Sequence, residues 1–322
     1  MLNKTDLFQR TEVRISPSPE KMYRNQVSLW MGSCFVDSIS PFLQRFHYQA
    51  LINPLGVVYH PLILQQLLLG NGEDIFSYSF EKEGVWLNYL LGTGFAAESE
   101  IQLNQLIANA KSETEKTLTN ADWLVMTWGT AVIYLHDQCG PVGKCHKQPG
   151  TLFQKKTTSP QELTDDAWSP VFQSWKSAFP KLKILLTLSP VRHIRDGLEE
   201  NSKSKASLRW AIEELKDQHP NVFYFPAYEM VLDEIRDYRY FEKDLIHPNK
   251  EAVDYIWNRF SQTFLNPEEV ALNWKMEELA LLKSHKPQAP FGKAFEMWKN
   301  KIEEKSEQVR AGLALERGKP GI

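Results

Sequence analysis

Apolar residues in this chain gather in short dense runs, and each run stops at a residue that breaks regular structure. Val27-Ser28-Leu29-Trp30-Met31 stops at Gly32, Trp123-Leu124-Val125-Met126-Thr127-Trp128 at Gly129, Leu182 to Ser189 at Pro190, and Val222-Phe223-Tyr224-Phe225 at Pro226. Runs of this length bounded by Gly or Pro read as buried strands. Between them the period changes to that of a helix. Phe35, Ile39, Phe42, Leu43 and Phe46 recur at helical spacing, interrupted by Pro41, and residues 60–70 read as helical after Pro61. Further helices are expected over 100–118, with Ile101, Leu103, Leu106 and Ile107, and over 202–218, with Leu208, Ile212 and Leu215 on one face. Another follows Pro248, carrying Val253, Ile256, Trp257 and Phe260.

Asn53-Pro54-Leu55-Gly56 reads as a turn, and residues 71–99, rich in aromatics and glycine without a clear period, as an irregular or β-containing insertion. Strands alternating with helices predict a mainly parallel sheet covered on both faces, an α/β architecture. Such sheets place their sites at the carboxyl ends of strands, here marked by Gly32, Gly129 and Pro190. Beyond residue 265 the chain becomes charged and helical, then loose over Gly318-Lys319-Pro320-Gly321-Ile322. The expected division is an α/β domain over 1–265 and a helical extension over 266–322.

Composition narrows the function. A net charge of −3 and a pI of about 6.3 leave no basic footprint for nucleic acid or an anionic membrane. No apolar run is long enough for a membrane helix, and residues 1–26 hold no signal-peptide core, so a cytoplasmic protein is expected. Three cysteines, an odd number, argue against a disulfide framework and for individual roles.

Two segments carry the candidate chemistry. Ser33 and Cys34 follow the first strand and open a helix, where backbone N–H groups and the helix dipole lower a thiol pKa and stabilise an oxyanion. Far downstream lies Asp244-Leu245-Ile246-His247-Pro248. Pro248 pushes His247 out of the helical region, and Asp244 is close enough in sequence to orient the imidazole. Taken singly, Cys34 reads as a packed thiol and the Asp-His pair as a helix cap; together they outline a hydrolytic or acyl-transfer site.

These residues, with several other blocks in order, resemble the GSCFA family, placed among the SGNH (GDSL-like) hydrolases. Gly32-Ser33-Cys34-Phe35 matches its naming motif, with Val36 where the family has alanine. Asn53-Pro54-Leu55-Gly56, Trp128-Gly129-Thr130-Ala131, Lys144-Cys145-His146-Lys147, Ser189-Pro190-Val191-Arg192-His193 and Asp244-x-x-His247-Pro248 follow, so the resemblance spans most of 27–265. It implies a three-layer α/β/α, flavodoxin-like SGNH-hydrolase fold. It also implies ester hydrolysis or acyl transfer, on an acylated carbohydrate or small metabolite, with no cofactor. On the superfamily pattern Cys34 takes the nucleophile position and Ser33 that of the aspartate. Gly56, with Asn53 nearby, would supply an oxyanion donor. The third block would fall at Gly129-Thr130-Ala131-Val132, where its asparagine is missing, so a further donor must come from Thr130, Asn53 or elsewhere.

Other readings stay open. Ser33 as nucleophile needs a one-residue slip of the turn. A binding module would keep the cleft without a competent oxyanion hole. Arg192 or His193 could hold a polar or anionic substrate, whereas Asn201-Ser202-Lys203-Ser204-Lys205 reads as a cap with exposed charge. His136, Cys139, Cys145 and His146 form a possible zinc or thiol-redox set, though their spacing is unlike paired Cys-x-x-Cys ligands; lining of the cleft by Cys145-His146-Lys147 is the preferred role. Gly140-Pro141-Val142-Gly143-Lys144 lacks the phosphate-loop spacing, and Gly92-Thr93-Gly94 lacks the rest of a dinucleotide fingerprint.

Overall fold

The computed structural model describes residues 11–317 except 71, 93 and 286. The expected loose tail at 318–322 and the first ten residues of the signal-peptide window lie outside the described residues, as does Thr93. Five parallel strands form the central sheet: β1 (Val27–Gly32), β2 (Gln49–Ile52), β3 (Trp123–Trp128), β4 (Lys183–Leu188) and β5 (Val222–Phe225). Their spatial order is β5-β4-β3-β1-β2. The order reverses between β1 and β3, the switch point at which doubly wound sheets open a crevice.

Strand alternation builds two cores. Leu29, Met31, Leu124, Met126, Ile184 and Leu186 face one side, and Trp30, Trp123, Val125 and Leu185 the other, all nearly or fully buried. A sheet apolar on both faces requires helices on both. The first face is covered by α2 (Pro61–Leu69), α3 (Glu100–Asn120), α4 (Ser169–Ala178) and α5 (Leu198–Gln218). The second is covered by α1 (Cys34–Arg45) and α6 (Lys250–Phe264), whose Phe42 and Trp257 rings stack 4.9 Å apart. Fully burying one such side chain is worth about 1.5–3 kcal/mol.

Pro41 does not break α1. The Asp37 carbonyl, which loses its usual helical donor at a proline, accepts the Ser40 hydroxyl at 3.0 Å instead. The insertion is β-containing, one of the two alternatives its sequence allowed. The insertion holds a short helix (Gly72–Phe76) and a three-stranded antiparallel sheet of Ser79–Lys82, Val85–Asn88 and Ala96–Ala97. A second small sheet, of Val132–His136, Gly140–Val142 and Phe153–Thr157, follows β3. Phe153–Thr157 is polar and exposed and Gly140–Val142 only three residues long, so neither carries an apolar run to announce it, whereas the apolar Val132–Leu135 follows β3 after only three residues.

The C-terminal segment packs as two helices, α7 (Pro267–Ser284) and α8 (Lys293–Arg317). Buried Arg24 donates to Glu269 at 2.7 Å and Asn273 at 3.0 Å, fastening α7 to the start of the sheet. Trp298 Nε1 donates to the Leu282 carbonyl at 2.9 Å and holds α8 against α7. No helix of the described residues is long and apolar enough to cross a membrane.

Candidate active site

Ser33 and Cys34 stand at the carboxyl end of β1, at the switch point. Ser33 is fully buried and caps α1, its Oγ accepting the Phe35 N–H at 3.3 Å. Cys34 is the first residue of α1 and half-buried. The turn between them depends on Gly32, whose φ of +133 and close approach to Thr127 admit no side chain. Asn53 locks the same turn, its Oδ1 accepting Gly32 N–H at 2.9 Å and its Nδ2 donating to Asp37 at 2.7 Å.

Burial, then the neighbouring Cys34 and Asp37, push the Tyr59 hydroxyl up to about 12. Burial, then Asp37, also raise the Cys34 thiol above its ordinary value; the helix N-terminus, Lys144 and Lys205 oppose this and lose. The expected lowering of the thiol pKa is thus reversed: desolvation of a half-buried sulfur outweighs one helix end. Cys34 at neutral pH is a protonated thiol that needs a base.

Asp244 and His247 form a preassembled pair. Asp244 Oδ2 meets His247 Nδ1 at 2.7 Å, while Oδ1 accepts the Ile246 and His247 N–H groups at 2.9 and 3.0 Å. These bonds, the imidazole first, hold the Asp244 carboxyl down to about 2. The loop is fixed from below by Arg192, whose guanidinium donates to the Leu245 carbonyl at 3.0 Å and lies 4.1 Å from the Phe241 ring. Arg192 therefore supports the loop, and His193 turns inward. The His193 ring sits edge-on to Tyr59 at 5.1 Å, and its Nε2 is buried without a hydrogen-bond partner. Burial, then the charge of Lys205, hold it at about 3; His247 is near enough to add to that effect.

The oxyanion donors expected from the resemblance are engaged elsewhere. Gly56 N–H donates to the Asn53 carbonyl at 2.8 Å, and Gly129 and Thr130 N–H both donate to Tyr59 O, at 2.8 and 3.1 Å. Thr130 Oγ1 pairs with Ser204 Oγ at 3.0 Å. His146 also turns away, its Nε2 on the Asn88 carbonyl at 2.8 Å and its ring against Phe80. The charge of Arg195 acts on the Cys145 thiol, and His136 Nδ1 accepts Gln138 N–H at 3.2 Å. Among the described residues no three His, Cys, Asp or Glu side chains converge on a metal position.

Three groups at the site were not read from sequence: Tyr59, Lys144 and Lys205. Lys205 is fully buried, and its ammonium bridges the Gly129 and Ser189 carbonyls, each at 2.7 Å, joining the ends of β3 and β4. Burial lowers it to about 7. The segment expected to be an exposed cap lies within α5, with Ser202 and Lys203 exposed and the other three residues turned inward. Asn201, Ser204 and Lys205 continue the stripe of Leu208, Ala211, Ile212 and Leu215 toward the N-terminus, which the helical spacing would have revealed.

Buried neutral histidines make the fold acid-sensitive. His60, which caps α2 through Nδ1 and meets Thr158 at 3.2 Å, is lowered by burial to about 4 from an ordinary 6.5. His193 is lowered to about 3. Both folded values lie below the unfolded one, so this contribution is fully present above pH ~6.5 and is lost as pH falls toward 4 and 3. For His60 the loss is about 3 kcal/mol. Urea midpoints should fall between pH 7 and 4.5, and His60→Asn, which keeps a capping acceptor, should flatten the slope. An unchanged slope in that variant would assign the acid loss to other groups.

No curated protein and no solved structure matches the chain significantly. The GSCFA family profile matches residues 28–260, a span running from β1 through most of α6 and enclosing Cys34, Tyr59, His193, Asp244 and His247, and the chain belongs to the GSCFA family.

Proposed function

We propose that this protein is an SGNH-like ester hydrolase or acyltransferase in which Cys34 is the nucleophile, His247 the base and Asp244 the group that orients it. The observation that carries the reading is the preassembled Asp244–His247 dyad at 2.7 Å, in a chain that also places a half-buried thiol at the switch point. His247 Nδ1 is held by Asp244, which leaves Nε2 to receive a proton. The Cys34 S–H proton passes to that nitrogen as sulfur attacks the ester carbonyl. The leaving alcohol departs with the same proton, and the thioester is then cleaved by water or transferred to an acceptor alcohol or amine. Acylated carbohydrates and small metabolite esters are the substrate classes considered. Ser33 is the poorer nucleophile, because its oxygen is fully buried and already caps a helix.

The test is turnover of an aryl-ester and thioester panel by three proteins. Cys34→Ala should lose turnover and keep the wild-type fold, whereas Ser33→Ala should keep turnover and lose about 1 kcal/mol of stability with the cap. Wild-type rates in Cys34→Ala would remove the proposal. Saturable binding of an ester without turnover by the wild-type chain would make it a binding module.

A further inference from the structure

The charge around the thiol is incompletely matched. Lys144 Nζ lies 4.4 Å from the centre of the Tyr59 ring, and its charge acts on Cys34. Its backbone is fixed, since Gly143 and Lys144 N–H both donate to the Tyr89 carbonyl, at 2.8 and 2.9 Å. Among the described residues it makes no ion pair. Burial lowers its pKa. None of the acids of the site pairs with it: Asp196 pairs with Lys155 at 2.9 Å, Asp244 holds His247 at 2.7 Å, and Asp37, hydrogen-bonded to the neutral Asn53 amide at 2.7 Å, keeps its charge and acts on Cys34 and Tyr59. Against the same Tyr59 ring, His193 Nε2 is buried and unpartnered, 3.2 Å from where a side chain on Gly129 would begin. Lys205 adds positive charge from beneath.

A desolvated ammonium without a counter-ion is costly, and an unpartnered buried nitrogen adds a smaller cost, unless a ligand completes them. We propose that the substrate of this site is anionic: an ester whose acyl part carries a carboxylate or phosphate, received by the Lys144 ammonium, with Tyr59 and His193 as neighbouring polar contacts. The inference rests on Cys34 as the nucleophile and adds the charge of what it attacks. Lys144 is then a specificity residue, and the position left without backbone N–H donors is served by side chains.

Two nearly isosteric reagents that differ in charge test this directly. Iodoacetate and iodoacetamide both alkylate a thiolate by displacing iodide. With the full chain at pH 8, each rate at Cys34 is measured by mass mapping and divided by the rate with a small free thiol. The normalised iodoacetate-to-iodoacetamide ratio should exceed unity by roughly fivefold at Cys34. It should fall to near unity in Lys144→Met, persist in Lys144→Arg, and stay unchanged at Cys139. Taking the ratio cancels any effect of Lys144 on the thiolate fraction itself, and a retained thermal midpoint shows that Lys144→Met still folds. Inorganic phosphate and succinate are then compared as protectants of Cys34 against iodoacetamide, and the stronger protectant identifies the anion. No preference for iodoacetate in the wild type, or a preference that survives Lys144→Met, overturns the anionic substrate while leaving the nucleophile in place. Cys34 unlabelled by either reagent overturns both.

Discussion

Gly32→Ala is expected to prevent the protein from folding stably. A β-carbon at this position would stand 2.2 Å from the Thr127 carbonyl oxygen and 2.8 Å from its nitrogen, both backbone atoms of the adjacent strand. The neighbour cannot retreat, because Thr127 lies inside β3, paired with Gly32 on one side and Thr187 on the other. A φ of +133 adds backbone strain that alanine cannot relieve. The combined cost exceeds about 3 kcal/mol, a large share of the stability of an ordinary domain. Expression as soluble protein with a wild-type thermal midpoint would show that β1 and β3 separate more easily than the contact implies. By contrast, Gly150, which has open space around the same hypothetical atom, should accept alanine with little change.

The second large effect concerns catalysis alone. Asp244 and His247 are both nearly half exposed, so their replacement leaves the core intact. In Asp244→Asn the side-chain oxygen can still accept the Ile246 and His247 N–H groups, but the amide nitrogen cannot accept His247 Nδ1–H. The imidazole then loses its orientation and its stabilising charge, and turnover of any ester found in the panel should fall by roughly 10²- to 10⁴-fold. His247→Ala should fall at least as far, with partial recovery in added imidazole. Thermal midpoints should remain within about 0.5 kcal/mol of wild type in stability. Wild-type turnover by both variants would reduce this pair to a loop clasp.

Much of the frame was legible because it is written in burial. β1, β3, β4 and β5 are runs of Val, Leu, Ile, Met, Phe and Trp that end at Gly or Pro, and a sheet covered on both faces permits little else. β2 escaped because an edge strand of four residues, one exposed and three partly buried, has no such signature. Of the site, the groups near punctuation were visible: Cys34 after Gly32, and His247 before Pro248. Tyr59, Lys144 and Lys205 were not, because each works through a contact made across the fold. Lys205 was readable in principle, since a lysine on the apolar stripe of a helix is either buried with partners or misplaced. The oxyanion donors failed for another reason. A motif names the residue, whereas the destination of its N–H is decided by the tertiary turn, and here Tyr59 O claims two of them.

The pairing of β1 with β3 also has a kinetic side. Val27 lies opposite Gln49 in one neighbour, but Ser28 lies opposite Trp123 in the other, the most distant pairing in the central sheet. Closing so long a loop costs entropy before any contact repays it, so pairings of this kind form slowly. The Gly32–Thr127 contact that seats the Cys34 turn belongs to this pairing. A nascent chain therefore exposes its thiol while the first two strands can already meet, and the moment at which Cys34 becomes shielded reports the closure of the sheet.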